Sequence, residues 1–431
     1  MDDTELIVFD DNQGRWGPLV DLRPIFNLRS GCWDSLKRIE AVRGRKAGSL
    51  IVPGRLEQAV RAGGCDYLVN ALAQGGDDFL IVNGRWLGLA HSDAILGIKP
   101  QTVVMQEDQE LVAARVNRKT AEHMVNALST ACDQNWVLFE LQMDMLETVY
   151  LPNGTLVKRP WDLLAALDEA IDYDAGAIDL GLFDGAEQGV SGGVTVLGDG
   201  VIKVGQGVSL GPMVVLDTRG GGIVIDESAE IGAFSVIEGP CYVGKGTKIR
   251  PQTHLAGGVA LGDCCVIGGE VEASIIQGYS NKAHGGYLGH SVLGQWVNLG
   301  AGTNVSNLKN TYGHIRIRLD MNTLPEDTQR CKLGAIIGDF VKTAIGTKLN
   351  TGSCLGTGTM IAVDGTAPKL TDCFSFVTKA GDQVYDLDKF MHTSKIVLDR
   401  RGKSLDVHQI QLLQSLFEVM EEERQYRLIA E

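Results

Sequence analysis

The densest grouping of reactive side chains lies between residues 280 and 310. Lys282, His284, Tyr287, His290, Asn298 and Asn307 stand there, spaced by glycines. A neutral imidazole is a good general base near pH 7. An ammonium close by suits a phosphate. Backbone amides in glycine-rich turns can hold an oxyanion. His254 falls on a turn of a regular repeat and reads as structural, whereas His314 carries no assignment.

These residues sit in a segment with a strict beat. Ile225, Ile231, Ile237, Val243, Ile249, Leu255, Leu261 and Ile267 stand six apart without a miss. Val204, Leu210 and Leu216 hold an earlier phase, and Leu349, Leu355 and Ile361 a later one. Between them the beat slips and resumes with Tyr287, Leu293, Leu299 and Val305. Neither a helix nor a plain strand makes a period of six. It is the repeat of a parallel β-helix, in which the beat residue points into the core. The 54 glycines, well above the usual share of about 7%, supply its tight turns. The slip before Tyr287 lets a polar segment leave the regular wall.

The flanks differ. Glu5–Phe9 and Phe79–Val82 read as strands, and Val137–Leu141 as a third strand or the extension of a helix. Leu56–Arg61, Asp108–Val116 and Arg118–Ala131 read as helices, which together imply an α/β domain. Residues 158–174 read as one helix with Pro160 at its start. Val407, Ile410, Leu413, Phe417 and Met420 give residues 404–428 one apolar helical face. The expected organisation is an α/β domain over 1–157, a helical connector over 158–190, a β-helix over 191–375 and a C-terminal extension over 376–431.

Composition narrows the function. A formal charge of -15 argues against a general nucleic-acid or anionic-membrane binder, though not against a local basic pocket. No apolar run is long enough to span a membrane, and the acidic N-terminus has no signal-peptide layout. Nine cysteines, an odd number without a CxxC pair, fit free thiols in the cytoplasm.

The block Lys282-Ala-His284-Gly-Gly-Tyr287-Leu-Gly289, then Val297-Asn298-Leu-Gly-Ala-Gly-Thr303 and Asn307, carries a resemblance. It resembles the acetyltransferase region of the bifunctional UDP-N-acetylglucosamine pyrophosphorylase / glucosamine-1-phosphate N-acetyltransferase family. That pattern is Lys-Ala-x-His-x-x-Tyr-Leu-Gly, so the Lys-to-His spacing is one residue shorter here. A divergent bacterial branch of sugar nucleotidyltransferases with an acyltransferase half is closer still. It shares Arg159–Leu163, Arg23-Pro24, Leu28–Gly31, Asn350–Gly352, Pro368-Lys369 and Phe374-Ser375. The resemblance implies a left-handed β-helix, a homotrimer with sites where subunits meet, and acetyl-CoA lying along the β-helix. His284 would take the proton from the amine of a sugar phosphate. Tyr287, Asn298 and Asn307 would position that substrate, with Lys282 on its phosphate. His290 would be structural or touch CoA.

For the N-terminal half the family's loop, Gly-x-Gly-x-Arg…Pro, survives only as Gly14, Arg15 and Pro18. Arg15, Arg23, Arg29 and Lys37 are the candidate ligands of a nucleoside triphosphate. A Mg²⁺ carboxylate is expected after a later strand, where Asn83 stands instead. The implied function is acyl transfer to an amino-sugar phosphate, joined to nucleotidyl transfer making a UDP-sugar. The alternatives are an acyltransferase whose N-terminal domain only binds nucleotide, and a non-enzymatic β-helix assembly subunit.

Overall fold

The computed structural model describes residues 4–430 apart from 65, 131–145, 184–192 and 364. The expected strand at Val137–Leu141 lies outside the described residues. Strands β1 (Glu5–Phe9), β2 (Ser49–Ile51), β3 (Leu68–Val69), β4 (Phe79–Asn83), β5 (Thr102–Gln106), β6 (Leu111–Val116) and β7 (Glu147–Leu151) form one sheet. Its order is β3-β2-β1-β4-β6-β5-β7. β1 runs parallel to β2 and β4, and β6 antiparallel to β4 and β5. Helices α1 (Ser35–Arg43), α2 (Glu57–Ala62), α3 (Ser92–Leu96) and α4 (Arg118–Thr130) accompany it. The expected helix over Asp108–Val116 is overturned, because most of that stretch is β6. Ala113 and Ala114 favour a helix by propensity. β6 lies inside the sheet with five of its six residues buried, so the alternation that marks a strand is missing.

The connector is two helices, α5 (Pro160–Ala165) and α6 (Leu167–Ala177), not the single one expected. The break at Ala166 lets each turn its own apolar residues inward: Trp161 and Leu163 from α5, Leu167 and Ile171 from α6.

Beyond it the chain winds into a parallel β-helix. One face is a ten-stranded sheet, a second a nine-stranded sheet, and a third comprises five-stranded and four-stranded pieces. Ile231 pairs with Ile249 and Ile249 with Ile267, so each regular coil takes three hexapeptides. The beat residues fill the core from Val204 to Ile361. One expectation fails: after the slip the inward residue is Leu288, fully buried, and Tyr287 faces out. Coils approach closely enough that glycine is required at Gly232, where a Cβ would lie 2.5 Å from Pro251 N.

The ten-stranded face has an apolar outer side as well. Val224, Tyr242, Ala260, Ile275, Val292, Ile336 and Cys354 stack in register along it. Trp16, Leu19, Ile25, Leu28 and Trp33 cover the column together with α5 and α6. A corner column does the same for the C-terminal helices. Tyr279, Trp296, Phe340 and Phe374 all adopt positive φ at the same turn of their coils, with Gly358 at that turn between the last two. Tyr279 stacks on Trp296 at 4.5 Å between centroids. Helices α7 (Leu387–Asp399) and α8 (Val407–Ala430) pack on this ladder through Phe390, Leu398, Leu413 and Met420. Among the described residues no helix is long and apolar enough to cross a membrane.

A buried ion pair locks α1 to α6. Arg38 Nε lies 2.7 Å from Asp174 Oδ1 and Nη2 2.8 Å from Oδ2, with both side chains fully buried. Removing one partner strands a charge. Asp174→Ala is expected to cost about 3–5 kcal/mol, and Arg38→Met with Asp174→Leu to recover most of it. Thermal unfolding midpoints of the two variants check this; equal midpoints would contradict it.

Candidate functional site

The site begins where a coil is cut short. Ile267 pairs with Lys282 only 15 residues on, against 18 for the preceding pairs. Lys282 thereby occupies the inner column, in register with Ile267. Its Nζ donates to Gly268 O at 2.5 Å and to His284 O at 3.2 Å. Burial lowers its pKa to about 8, which Glu270 only partly opposes. Lys282 is therefore turned into the coil and does not line the cleft beside it, contrary to its expected phosphate role.

His284 stands exposed at the corner that follows. The chain turns there through Gly286 (φ 128°), where a Cβ would collide with Thr303 O. The imidazole makes no hydrogen bond to another described residue. It borders a cleft of about 660 Å³. Asn281, Asn298 and Lys342, bridged in sequence along the third face, form one wall with Trp296 and Ile345. Val397, Arg400 and Arg401 from the end of α7 form the other. Arg401 Nη2 donates to Asn281 Oδ1 at 2.9 Å.

Around the corner lies a polar relay. Tyr287 OH donates to Glu272 Oε2, and Asn307 Nδ2 donates to Tyr287 OH at 2.7 Å. The same Nδ2 lies 2.9 Å from His290 Nδ1, and Lys332 Nζ lies 3.2 Å from Glu272 Oε1. Burial lowers the His290 pKa, so the ring is neutral near pH 7 and Nδ1 accepts. Burial, then the Glu272 carboxylate, raises Tyr287. Burial alone would raise Glu272, but hydrogen bonds from Tyr287 and Lys332 outweigh it and lower it.

Thus His284 and Asn298 share the cleft, whereas Tyr287 and Asn307 join the relay. His254 pairs with Glu238 at 2.8 Å in the regular repeat, and His314 with Asp327 at 3.5 Å. Sequence reasoning missed Glu272, Lys332, Lys342, Arg400 and Arg401. The adjacent arginines closing an apolar helical stretch were the available signal for the last two.

The N-terminal candidates are not brought together. Arg23 forms a buried pair with Asp339 of the β-helix. Arg29 donates its backbone amide to Gln277 Oε1 at 2.8 Å, and its guanidinium lies over Tyr242. Arg15 is exposed, 3.8 Å from Glu326. Lys37 is exposed above the Trp33 ring. The loop after β1 packs on the β-helix instead: Thr357 Oγ1 reaches Pro18 O and Asp21 Oδ2. A cavity of about 790 Å³ lies between Trp86, residues 152–159, α5 and Glu326. Its cations are paired, Lys158 with Asp108 and Glu110, Arg159 with Glu326.

Nucleotidyl transfer uses Mg²⁺ held by carboxylates. Asp11 is paired with Arg85, a fully buried guanidinium, and accepts from Asn83 Nδ2 at 2.8 Å. Asp10 accepts the Ile25 and Asn12 amides, while burial raises its pKa to about 6. This donor set does not fit the ion. Among the described residues no group of three or more His, Cys, Asp or Glu could hold a metal.

Residues 6–181 match the family model described as sugar nucleotidyl transferase. The bifunctional protein GlmU of Acaryochloris marina (strain MBIC 11017) is 30% identical over 200 residues, 42% of this chain and 40% of that protein. The bifunctional protein GlmU of Synechococcus elongatus (strain ATCC 33912 / PCC 7942 / FACHB-805) is 34% identical over 149 residues, 30% of this chain and 33% of that protein. This chain resembles the GlmU family. The match to the Alkalilimnicola ehrlichii (strain ATCC BAA-1101 / DSM 17681 / MLHE-1) GlmU is 28% over 183 residues, 41% of this chain and 35% of that protein. The chain thus spans at most about two fifths of these GlmU proteins.

The buried lysine gives a pH test. Folded Lys282 releases its proton near pH 8, whereas an unfolded lysine holds it to about pH 10.4. The unfolded state binds more protons in that window, so the Lys282 contribution to stability rises with pH across it. Lys282→Met lacks this term. Wild type should gain stability relative to Lys282→Met between pH 7.5 and pH 9.5 in urea unfolding. A constant difference would refute the burial argument.

Proposed function

We propose that the β-helix transfers an acyl group, acetyl from acetyl-CoA, to the amine of an amino-sugar phosphate, with His284 as general base. The observation that carries this reading is the exposed, unpartnered imidazole on the edge of a 660 Å³ cleft with Asn281 and Asn298 in its wall. The amine nitrogen attacks the thioester carbonyl while His284 takes its proton. The carbon–sulfur bond then breaks and the CoA thiolate leaves, taking up a proton. Asn298 orients the acceptor. The relay of Tyr287, Asn307, His290 and Glu272 forms a rigid polar wall on the adjoining face. It serves the neighbouring copy in a homotrimer, where the exposed corner residues Met213 and Phe234 offer apolar contact surface. Equilibrium sedimentation should then give three times 46.4 kDa; a monomer mass would remove the shared site. Free thiols such as Cys241 and Cys354 suit the cytoplasm.

For the N-terminal half, a specific observation favours the reading in which it binds or braces without catalysis. Arg85 neutralises Asp11, and the loop after β1 leans on the β-helix. The rival reading is a Mg²⁺-dependent nucleotidyltransferase making a UDP-sugar.

One preparation tests both halves. With acetyl-CoA and glucosamine 1-phosphate it should release thiol, and His284→Ala should lower the rate about 10²–10⁴-fold. Release independent of the sugar or of His284 would overturn the acyl-transfer reading. With Mg²⁺, UTP and a sugar 1-phosphate it should release no pyrophosphate; release would restore the nucleotidyltransferase.

A further inference from the structure

The cleft beside His284 departs from the electrostatic pattern of the buried arginines. The chain carries a formal charge of -15, and among the described residues its most deeply buried arginines face carboxylates, while buried Lys282 is held by two backbone carbonyls. Arg23 pairs with Asp339, Arg38 with Asp174, and Arg85 with Asp11 and Glu110. Lys342, Arg400 and Arg401 line the cleft together with His284, and among the described residues no aspartate or glutamate lines it. Among the described residues, no carboxylate pairs with any of the three. Lys342 Nζ reaches only Phe340 O, at 3.1 Å. Burial lowers its pKa to about 8 with no nearby carboxylate to oppose it. A half-buried ammonium without a counter-ion is costly unless an anion arrives.

The two arginines are held in place from the opposite side. Phe390 and Leu398 seat α7 on the aromatic ladder, and Arg400 is its C-terminal cap. Asn281 then fixes Arg401. The helix dipole favours cations at this end. It does not account for Lys342, which projects from the β-helix wall opposite. Guanidinium forks with an ammonium are suited to phosphate oxygens, which accept bidentate hydrogen bonds.

We propose that Lys342, Arg400 and Arg401 form a subsite for a phosphoryl or diphosphoryl group of a substrate whose reacting end lies at His284. This rests on the acyl-transfer reading for the identity of that substrate. The phosphoryl group belongs either to the acceptor sugar or to CoA. The role given in the sequence to Lys282 thus passes to residues from the next coil and from a C-terminal helix.

The test is calorimetric titration of the full chain with inorganic pyrophosphate in metal-free buffer. Wild type should bind, and Arg400→Gln with Arg401→Gln should weaken binding at least tenfold at an unchanged thermal midpoint. Lys342→Met should weaken it from the other wall. No binding by wild type, or equal binding by the variants, would overturn the subsite. Displacement of pyrophosphate by glucosamine 1-phosphate assigns the site to the acceptor, and displacement by coenzyme A to the donor. Displacement by neither would overturn its assignment to a substrate. Pyrophosphate binding reads the subsite and thiol release reads the reaction, so failure of one is distinguishable from failure of the other.

Discussion

The β-helix cannot leave its ten-stranded face bare. Its outer column from Val224 to Cys354 is apolar in every coil, and each valine or isoleucine in it gains about 1.5–3 kcal/mol by leaving water. Covering that column requires the N-terminal domain and the connector to lie along it. That one constraint decides what the N-terminal basic residues do. Arg23 and Arg29 are drawn into the seam, where they satisfy Asp339 and Gln277. The loop after β1 becomes a brace. A fold matched to sugar nucleotidyl transferases is thus held in a position where its first loop has protein in front of it.

A second apolar column has the opposite consequence. The ladder of Tyr279, Trp296, Phe340 and Phe374 is a by-product of turn geometry, since each sits at a positive-φ corner whose side chain points out of the coil. It recruits α7 and α8. The end of α7 then arrives over the cleft with two guanidinium groups. Packing at one corner therefore sets the electrostatics of the cleft that Tyr279 and Trp296 themselves line. The seam pairs its cations with carboxylates, whereas the cleft leaves its own open. Position in the fold, more than residue type, separates a structural arginine from one available to a ligand.

The solenoid was legible because its signal is a period. Ile225 to Ile267 repeat one environment, and chance does not produce that run. The slip was legible too, but its register was not. Shortening a coil by three residues can be absorbed at more than one turn, and the six-residue spacing alone put Tyr287 at the inner position. Only packing chose Leu288. Lys282 was misplaced for the same reason: a lysine in an inner column violates the pattern that locates inner columns. β6 failed on different grounds. A strand buried on both faces has lost the alternation that distinguishes it from an alanine-containing helix. His284 and Asn298 were found because the motif is local, and their partners from α7 were missed because that contact spans more than a hundred residues.

The buried lysines sharpen the contrast between holding a fold and holding a ligand. Lys282 and Lys342 occupy the third face one register position apart, and burial lowers both to about 8. Lys282 has two carbonyl partners and faces inward, so its charge is accommodated by the backbone of its own coil. Lys342 has one carbonyl partner and faces the cleft. The first closes a short coil that the regular repeat would not allow. The second keeps a donor capacity that the protein itself does not use. A solvated surface would dissipate that charge, and a paired one would cancel it. Half-buried between Trp296 and the two arginines, it instead makes this edge of an acidic protein selective for anions.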